Sequence, residues 1–528
     1  MNRSLLIALL ACLGVSYTIA QAAPLVVVQS SSSSFRPEVG ATPESSARQF
    51  LAESAGGLGL RSDLADLKLE SVTETPGGFV VRFRQVSGGF QMDRAGVVVS
   101  LSADLEPLTY INNAVPVSQT RGLHSMSVQL FKLNEADALK IAYRELKLSA
   151  SPVKQDLVKR VRFENGALRP VYQIQLSAPL DRRYAWEMVI DAETGRIYRS
   201  VNLIVNHESR DRGSIATQVL DPNPTIKSGH ALNQVAGYSD NSNGNSSFYD
   251  SMMTSVTLDN LTPKGNKFIL SGPNVQISDS ESPKNPECAF GVDGFKLRRN
   301  DPCFDAVNVY YFLDKEIKYL NGPLGFKLHP LKYSGGIKAD PHGLDGQDNS
   351  HYSPYSDELA FGEGGVDDAQ DHDVIIHEMG HAIHNWVTGG HLSQTEGLSE
   401  GSGDYWAASY DRQFMKPGHV AYNWTFSFDG HNEFWPGRIL NVTKNYPAGA
   451  QGEVHDAGQL WAAVCMDIYD AIGKQKADQL FWTALSNLDE NSSQADAAKA
   501  YVVATKKLFA SDLDTVVKKF KARGYPVQ

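Results

Sequence analysis

One short segment constrains this 528-residue chain more than any other, the run from Asp373 to Trp386, which reads DVIIHEMGHAIHNW. Its apolar residues recur at helical spacing. Asp371 or Asp373 can cap the start, and Gly389-Gly390 can end it. The segment therefore predicts a helix of about four turns.

This helix can bind a metal because His377 and His381 lie four residues apart and project from the same face. Two imidazoles at that spacing can bind one zinc ion, and Glu378 lies beside them as a candidate base. The alternative is that they are ordinary hydrogen-bonded histidines of a packed helix. A catalytic zinc site also needs a third protein ligand and one position left for water.

The third ligand must come from later in the chain. A histidine six residues after the second, following a glycine, is one known solution, but Val387 and His384 occupy those positions. A glutamate from a second helix is the other solution, and Glu400 supplies it. Asp404, one turn further on, can accept the second N–H of a ligand histidine. Glu396 remains the alternative third ligand.

The pattern His377-Glu378-x-x-His381 followed by Glu400-x-x-x-Asp404 resembles the gluzincin metallopeptidases of the thermolysin and fungalysin type. The resemblance implies a two-lobed catalytic domain with a strand-rich N-terminal and a helical C-terminal lobe. It also implies Zn2+ held by the two histidines and Glu400, with Glu378 as general base.

Three further segments extend the resemblance to substrate binding. The segment from Glu453 to Trp461 resembles the one that carries an oxyanion-binding histidine, here His455. Asn349, in Asn-Ser-His-Tyr-Ser-Pro, resembles an asparagine that contacts the peptide backbone, and Arg438 resembles an arginine on the carbonyl side of the substrate.

The chain departs from the thermolysin pattern around His455. The aspartate that orients this histidine is replaced by Ala450, so Glu453 or Asp456 must substitute. The oxyanion-binding tyrosine of that branch has no counterpart near His391.

The N-terminus resembles a secretory leader, with Arg3, an apolar stretch from Leu5 to Val15, and a small-x-small site at Ala20-Gln21-Ala22. A lipoprotein signal ending at Cys12 is the alternative. The net charge of −11, without a Lys/Arg block, argues against a nucleic-acid or anionic-membrane partner. We therefore expect a secreted monomer whose partners are peptide or protein substrates and its own propeptide.

The two N-terminal units, from about 45 to 115 and from 134 to about 205, lack clustered histidines, cysteines or paired carboxylates and resemble fungalysin/thermolysin propeptide and PepSY modules. Arg210 and Arg212 lie in a polar stretch that is typical of a cleavable linker. The predicted organisation is a signal peptide (1–22), a propeptide module (40–115), a PepSY-like module (130–205), a linker (206–213) and an α+β catalytic domain (214–528).

The remaining cysteines and acidic residues suggest secondary features. Cys288 and Cys303 could form one disulfide in an oxidising compartment, whereas Cys465 lies in an apolar helical pattern. Acidic stretches at Asp367-Asp368 and Asp371 could bind Ca2+, as in the thermolysin group, or could form a solvated loop.

A secreted zinc endopeptidase made as a proenzyme is the leading functional interpretation. An aminopeptidase is the first alternative, because the spacing from His381 to Glu400 also occurs in aminopeptidase gluzincins, but the Gly-x-Met-Glu-Asn string that holds a free amine is absent. A zinc-bearing binding or adhesive protein without turnover is the second alternative.

Overall fold

The computed structural model describes residues 25–28, 35–120, 131–146, 154–164, 167–178, 181–202, 213–231, 244–291, 293–432 and 435–528. The predicted leader, and all of the predicted linker except Gly213, lie outside these residues. The helices are α1 Pro43–Leu58, α2 Val117–Thr120, α3 Glu135–Glu145, α4 Pro224–Ser228, α5 Ser247–Met252, α6 Phe304–Asn321, α7 His372–Val387, α8 Leu398–Arg412, α9 Val454–Ile472, α10 Lys474–Leu485, α11 Gln494–Leu508 and α12 Leu513–Ala522.

The strands are β1 Val26–Val27, β2 Leu67–Thr75, β3 Gly78–Ser87, β4 Phe90–Leu101, β5 Pro107–Asn112, β6 Lys154–Glu164, β7 Ala167–Ala178, β8 Asp181–Asp191, β9 Ile197–Asn202, β10 Gly213–Val219, β11 Thr254–Lys264, β12 Lys267–Ile269, β13 Val275–Ile277, β14 Ala289–Gly291, β15 Ile337–Asp340, β16 Ser350–Ser353, β17 Glu358–Phe361, β18 Trp424–Thr425 and β19 Arg438–Ile439. The strand-rich first part and the helical last part confirm the predicted α+β class.

The N-terminal strands form one sheet, in which β3 and β2 continue outward from β4. Helix α1 covers one face of β2 to β5, with Phe50 and Leu51 in a core that includes Val81 and Phe83. Helix α3 covers β6 to β9. The two predicted modules therefore share a continuous sheet, because β4 pairs with β6 in parallel.

The opposite face of β3 to β5 contacts the C-terminal part of the chain. Leu25, Val80, Val98 and Ile111 belong to the same buried core as helix α7. Since their hydrophobic side chains are removed from water by the C-terminal part of the chain, the N-terminal sheet is docked through apolar contacts as well as polar ones.

Two small sheets, β10–β11–β12–β14 and β13–β15–β17–β16, form the strand-rich lobe that follows. Helix α6 packs between these strands and α7, and most of its side chains are buried. Cys288 and Cys303 are joined by a disulfide at the start of α6. Helices α8 to α12 form the second lobe, and Cys465 is buried there as a free thiol.

Helix α7 runs between the two lobes and is buried over its whole length. Asp371 caps it, because its side chain accepts a hydrogen bond from the Asp373 N–H at 3.1 Å. Gly389 and Gly390 follow its end with positive φ of 65° and 95°. The predicted helix and its boundaries agree with the structure.

Candidate metal centre

The Nε2 atoms of His377 and His381 lie 3.1 Å apart. The Nδ1 atom of His377 lies 3.1 Å from Asp404 Oδ1, and that of His381 lies 2.7 Å from Ser399 Oγ. We assign both Nδ1 hydrogens to these acceptors, which leaves two Nε2 lone pairs facing each other. A bridging proton or a metal ion removes the repulsion between such lone pairs, so this pair of histidines can hold a metal ion.

Glu400 brings a carboxylate to the same point. Its Oε2 is 3.5 Å from His377 Nε2 and its Oε1 is 3.6 Å from His381 Nε2. Ligand atoms about 2.0–2.2 Å from a tetrahedral zinc ion lie roughly 3.3–3.6 Å apart. The two separations to Glu400 fall in this range, and the 3.1 Å between the histidine Nε2 atoms is slightly shorter, so a small adjustment would let the three side chains hold zinc.

Electrostatics at the centre favour an ionised Glu400. Burial raises its pKa, but His381 and His377 outweigh burial and hold the pKa well below its usual value. Burial also lowers the pKa of His381, while hydrogen bonds to Asp404 and Glu400 outweigh burial and raise the pKa of His377 to about 9. An anionic carboxylate beside buried imidazoles is the donor set of a catalytic zinc site.

Glycines allow the helices that carry these ligands to approach each other. A Cβ atom at Gly403 would lie 2.5 Å from His377 Nδ1, and one at Gly380 would lie 2.7 Å from the Cα of Gly403. A Cβ atom at Gly401 would likewise lie 2.4 Å from the carbonyl oxygen of Gly458. Gly401 and Gly403 are therefore required by the close contacts of α8 with α9 and α7.

Glu378 lies beside the two histidines, and its carboxylate is within 4.8 Å of their ring nitrogens. It lines the same cavity as His377 and His381. A water molecule held near the three donors would be within reach of this carboxylate.

His455, at the start of α9, lies at the opening of the centre, and its side chain is 48% exposed. Its Nε2 atom is 3.3 Å from Glu400 Oε2, and its Nδ1 atom is 2.6 Å from Glu453 Oε1. Of the two residues that could orient His455, the structure uses Glu453, which also caps α9.

Arg438 contacts the ligand carboxylates directly. Its Nη1 donates to Asp404 at 2.8 Å and to Glu400 at 3.3 Å. The guanidinium also lines the cavity, so it neutralises the carboxylates beside the metal position while facing the cleft.

The other sequence candidates have separate positions. Asn349 is exposed on the cavity wall, and its Oδ1 accepts the N–H of Ser350. Glu396 accepts hydrogen bonds from the Gln494 N–H and the Tyr446 hydroxyl instead of facing the histidines. His384 is fully buried, and burial lowers its pKa to about 3, as expected of a packing residue.

Sequence reasoning missed Ser399, which orients His381, and the glycines that admit the ligand helices. The run Leu-Ser-Glu-Gly-Ser-Gly-Asp carried the signal, because small residues next to a ligand indicate close helix contact.

The centre opens into a cavity of about 760 Å³. Residues of the N-terminal sheet form one side of it, among them Glu70, Arg84, Arg160 and Arg199. Strand β16 and the segment from Gly389 to Leu392 form other parts of the wall. The N-terminal sheet therefore covers the candidate metal centre.

Acidic residues form further clusters among the described residues. Carboxylates of Asp348, Asp368 and Asp429 lie within 4.8 Å of one another. The carboxylate of Asp371 accepts hydrogen bonds from the Asn223 side chain and from the backbone N–H groups of Phe428 and Asp429. Ca2+ binding stays a prediction.

Two curated relatives show distant similarity over most of the chain. The zinc metalloproteinase of Listeria monocytogenes is 22% identical over 464 residues, which covers 81% of each chain. The extracellular elastase of Staphylococcus epidermidis is 21% identical over 394 residues, covering 70% of this chain and 69% of the elastase.

No protein-family model matches the chain. Among solved structures, the C-terminal domain of YpeB from Bacillus megaterium aligns with 30% of this chain and 63% of its own, at 14% identity and a TM-score of 0.19. None of the described helices is long and apolar enough to cross a lipid bilayer. The chain is thus distantly homologous to zinc metalloproteinases, and its buried His377-Glu378-His381 cluster is consistent with a zinc peptidase site.

Proposed function

We propose that the protein is a secreted zinc endopeptidase made as a proenzyme. The observation that carries this proposal is the convergence of His377 Nε2, His381 Nε2 and the Glu400 carboxylate, within 3.1–3.6 Å of one another. Distant homology to a zinc metalloproteinase and to an extracellular elastase supports both the chemistry and the location.

Zinc bound at this position would supply Lewis-acid polarisation of a peptide carbonyl and would acidify a water molecule. The chain contributes Glu378, whose carboxylate accepts the proton of that water and passes it to the departing amine. In its doubly protonated form, His455 donates from Nε2 to the oxyanion that develops on the scissile carbonyl, while its Nδ1 hydrogen is donated to Glu453.

Substrate binding is assigned to the edge of strand β16. In the described part of the chain β16 lies at the end of its sheet and pairs with β17. An extended peptide can add to such an edge through main-chain hydrogen bonds. Asn349, one residue before β16 on the cavity wall, is placed to bind the peptide backbone with its amide.

We assign to the N-terminal sheet the inhibition of peptidase activity before the proenzyme is processed. Because Glu70, Arg84, Arg160 and Arg199 line the same cavity as the metal ligands, the N-terminal sheet would obstruct the approach of a folded protein substrate to Glu378. Cleavage within residues 206–213 would separate this cover from the catalytic part. N-terminal sequencing of active secreted protein tests this, because a start near Ala23 would refute a removable propeptide.

Metal analysis combined with matched glutamate variants tests the catalytic proposal. We expect about one zinc per chain, lost in Glu400→Gln and kept in Glu396→Gln and Glu378→Gln. Glu378→Gln should abolish cleavage of a blocked internal peptide. Preference for a free N-terminal dipeptide would instead support an aminopeptidase, and zinc without any cleavage after processing would support a binding protein.

A further inference from the structure

Arg82 of strand β3 is a buried cation of the N-terminal sheet, with 1% of its surface exposed. Its Nη2 donates to the carbonyl oxygens of Ser486 and Leu488 at 2.9 and 3.0 Å. Burial lowers its pKa to about 10, opposed by Asp489, Glu70 and Glu490, so the guanidinium stays charged at neutral pH. The catalytic part therefore binds the charged side chain of Arg82 in a buried position.

The receiving groups belong to the catalytic part of the chain. Ser486 and Leu488 follow the end of helix α10, where backbone carbonyls carry the negative end of the helix dipole. Asp489 and Glu490 add two carboxylates near the guanidinium. Gly389 lies beside Arg82, because a Cβ atom at Gly389 would be 3.7 Å from Arg82 Nη1. We call the groups from Gly389, Ser486, Leu488, Asp489 and Glu490 the guanidinium recess.

The recess is built independently of Arg82. Asp489 Oδ1 accepts from the Asn491 N–H and from Ser492 Oγ, both at 3.0 Å. The Ser486 N–H donates to the Trp482 carbonyl oxygen, which continues the helical pattern. These local hydrogen bonds hold the acceptors in position whether or not an arginine is present.

The recess adjoins the catalytic cavity. Gly389 and Glu490 line that cavity together with His377, Glu378 and His381. The recess therefore shares part of its wall with the catalytic cavity.

We propose that the guanidinium recess is a substrate subsite that accepts an arginine side chain, and that Arg82 occupies it as a stand-in in the full chain. The proposal rests on the proposed function, since β3 must leave before a substrate can enter. Both carbonyl oxygens accept from one nitrogen, Nη2, but a guanidinium is more weakly hydrated than an ammonium group and therefore costs less to bury in the recess. The subsite should therefore favour arginine over lysine.

Chemical rescue of the full chain tests the recess without relying on catalysis. In a Glu378→Gln background, Arg82→Ala empties the recess, and ~10 mM methylguanidinium should then raise the melting temperature by at least about 2 °C. The parent chain should not respond, nor should the variant with methylammonium or potassium chloride. An equal response to methylammonium, or no response, would overturn the proposal. If the variant does not fold, expression with methylguanidinium replaces melting: recovered folded protein supports the recess, and none refutes it.

A peptide series on the processed enzyme tests the substrate role. Peptides in which arginine, citrulline or lysine is moved along the sequence should show, at one position, a kcat/KM at least about tenfold higher for arginine. The double variant Asp489→Asn/Glu490→Gln should lose this preference, whereas the exposed Asp514→Asn should keep it.

The outcomes separate the two proposals. Cleavage without any preference for arginine would overturn the subsite and leave the peptidase standing. If no peptide is cleaved, the proposed function fails, and the rescue experiment still decides whether the recess binds a guanidinium.

Discussion

Glu453 holds the imidazole of His455 through a 2.6 Å contact between its Oε1 and the histidine Nδ1, although only one residue separates them. The same carboxylate caps α9 with its other oxygen, which accepts the His455 N–H at 2.9 Å. Orientation of the His455 imidazole is thus tied to the start of a helix, through a residue only two positions earlier in the chain.

Glu453→Gln should lower kcat by about tenfold or more with little change in KM, because an amide cannot both accept the Nδ1 hydrogen and cap the helix as a carboxylate does. Asp456→Asn is the matched control, since Asp456 bonds to Gln459 on the exposed side of α9. Steady-state kinetics with zinc content measured in parallel checks this. An equal loss of kcat in both variants would contradict the assignment of Glu453 as the residue that orients His455.

Asp404→Asn should weaken zinc binding by about 10–100-fold, because the amide loses the charge that holds the His377 Nδ1 hydrogen. Competition with a chelator of known affinity measures the change. Asp470→Asn, whose parent carboxylate pairs with Arg412 away from the centre, should bind zinc normally. Unchanged zinc affinity in Asp404→Asn would exclude a role for this contact.

Gly403→Ala should lower the free energy of unfolding by about 1–3 kcal/mol and reduce zinc occupancy, because the new Cβ would lie 2.5 Å from His377 Nδ1. Ser402→Ala on the same helix is the control, since Ser402 Oγ donates only to the Leu398 carbonyl oxygen in the hydrogen bonds described. Urea unfolding and metal analysis check both. Full zinc occupancy in Gly403→Ala would refute the packing argument.

The contact between the N-terminal sheet and the catalytic part should weaken as pH rises above neutrality. His391 Nδ1 lies 2.9 Å from Glu490 and its Nε2 lies 3.3 Å from Glu70 of β2. Burial lowers the pKa of His391, but Glu490 and Glu70 outweigh it and raise that pKa above its usual value. Stability from the protonated ring is therefore complete below about pH 6.5 and is lost as pH rises through the raised pKa.

Glu70 determines how the stability of this contact falls at acidic pH. Burial raises its pKa, but His391 and Arg84 outweigh burial and lower it to about 2, so its contribution is present above about pH 4.5 and is lost as pH falls toward 2. Arg82, Asp489 and Glu490 also face this contact.

Hydrogen exchange of the Glu378→Gln chain measures this pH dependence. Protection of β3 should be greatest between about pH 4.5 and 6.5 and should fall toward pH 9. In His391→Gln the loss of β3 protection toward pH 9 should disappear, whereas substitution of the exposed His230 should leave this pH dependence unchanged. An unaltered profile in His391→Gln would contradict the prediction.

The double variant Cys288→Ser/Cys303→Ser should lower the free energy of unfolding by about 3 kcal/mol, because the disulfide closes a loop with a separation of 15 residues. Urea unfolding with and without a reductant checks this. The reductant should destabilise the parent protein and leave the variant unaffected. Since Cys465 is buried and unpaired, Cys465→Ala serves as the control for loss of a thiol.

Local patterns in the sequence predict the metal helix, the second ligand helix and the α+β class. Periodicity and capping suffice for α7, because its start at Asp371 and its end at Gly389 are both encoded nearby. The candidate ligands could be named because residue types at fixed helical spacing determine which side chains face one point.

Contacts between distant segments could not be predicted in the same way. Helix α6 was not anticipated within the strand-rich part, because Asp305, Asn308 and Glu316 are buried with its apolar residues and hide the amphipathic period. The pairing of Met92 with Val161, which joins the two N-terminal modules, and the Glu70 contact of His391 depend on topology alone. Neither leaves a local signal in the sequence.

The apolar seam at Leu25, Val80, Val98 and Ile111 has a consequence for producing the enzyme. A chain expressed from residue 214 onward would lack these four residues, so the apolar surface that they cover would be exposed to water. That exposure costs about 25 cal/mol per Å² of apolar surface. Such a surface invites aggregation during refolding. Recombinant production should therefore begin from the full-length polypeptide, so that the N-terminal sheet covers this apolar surface while the chain folds.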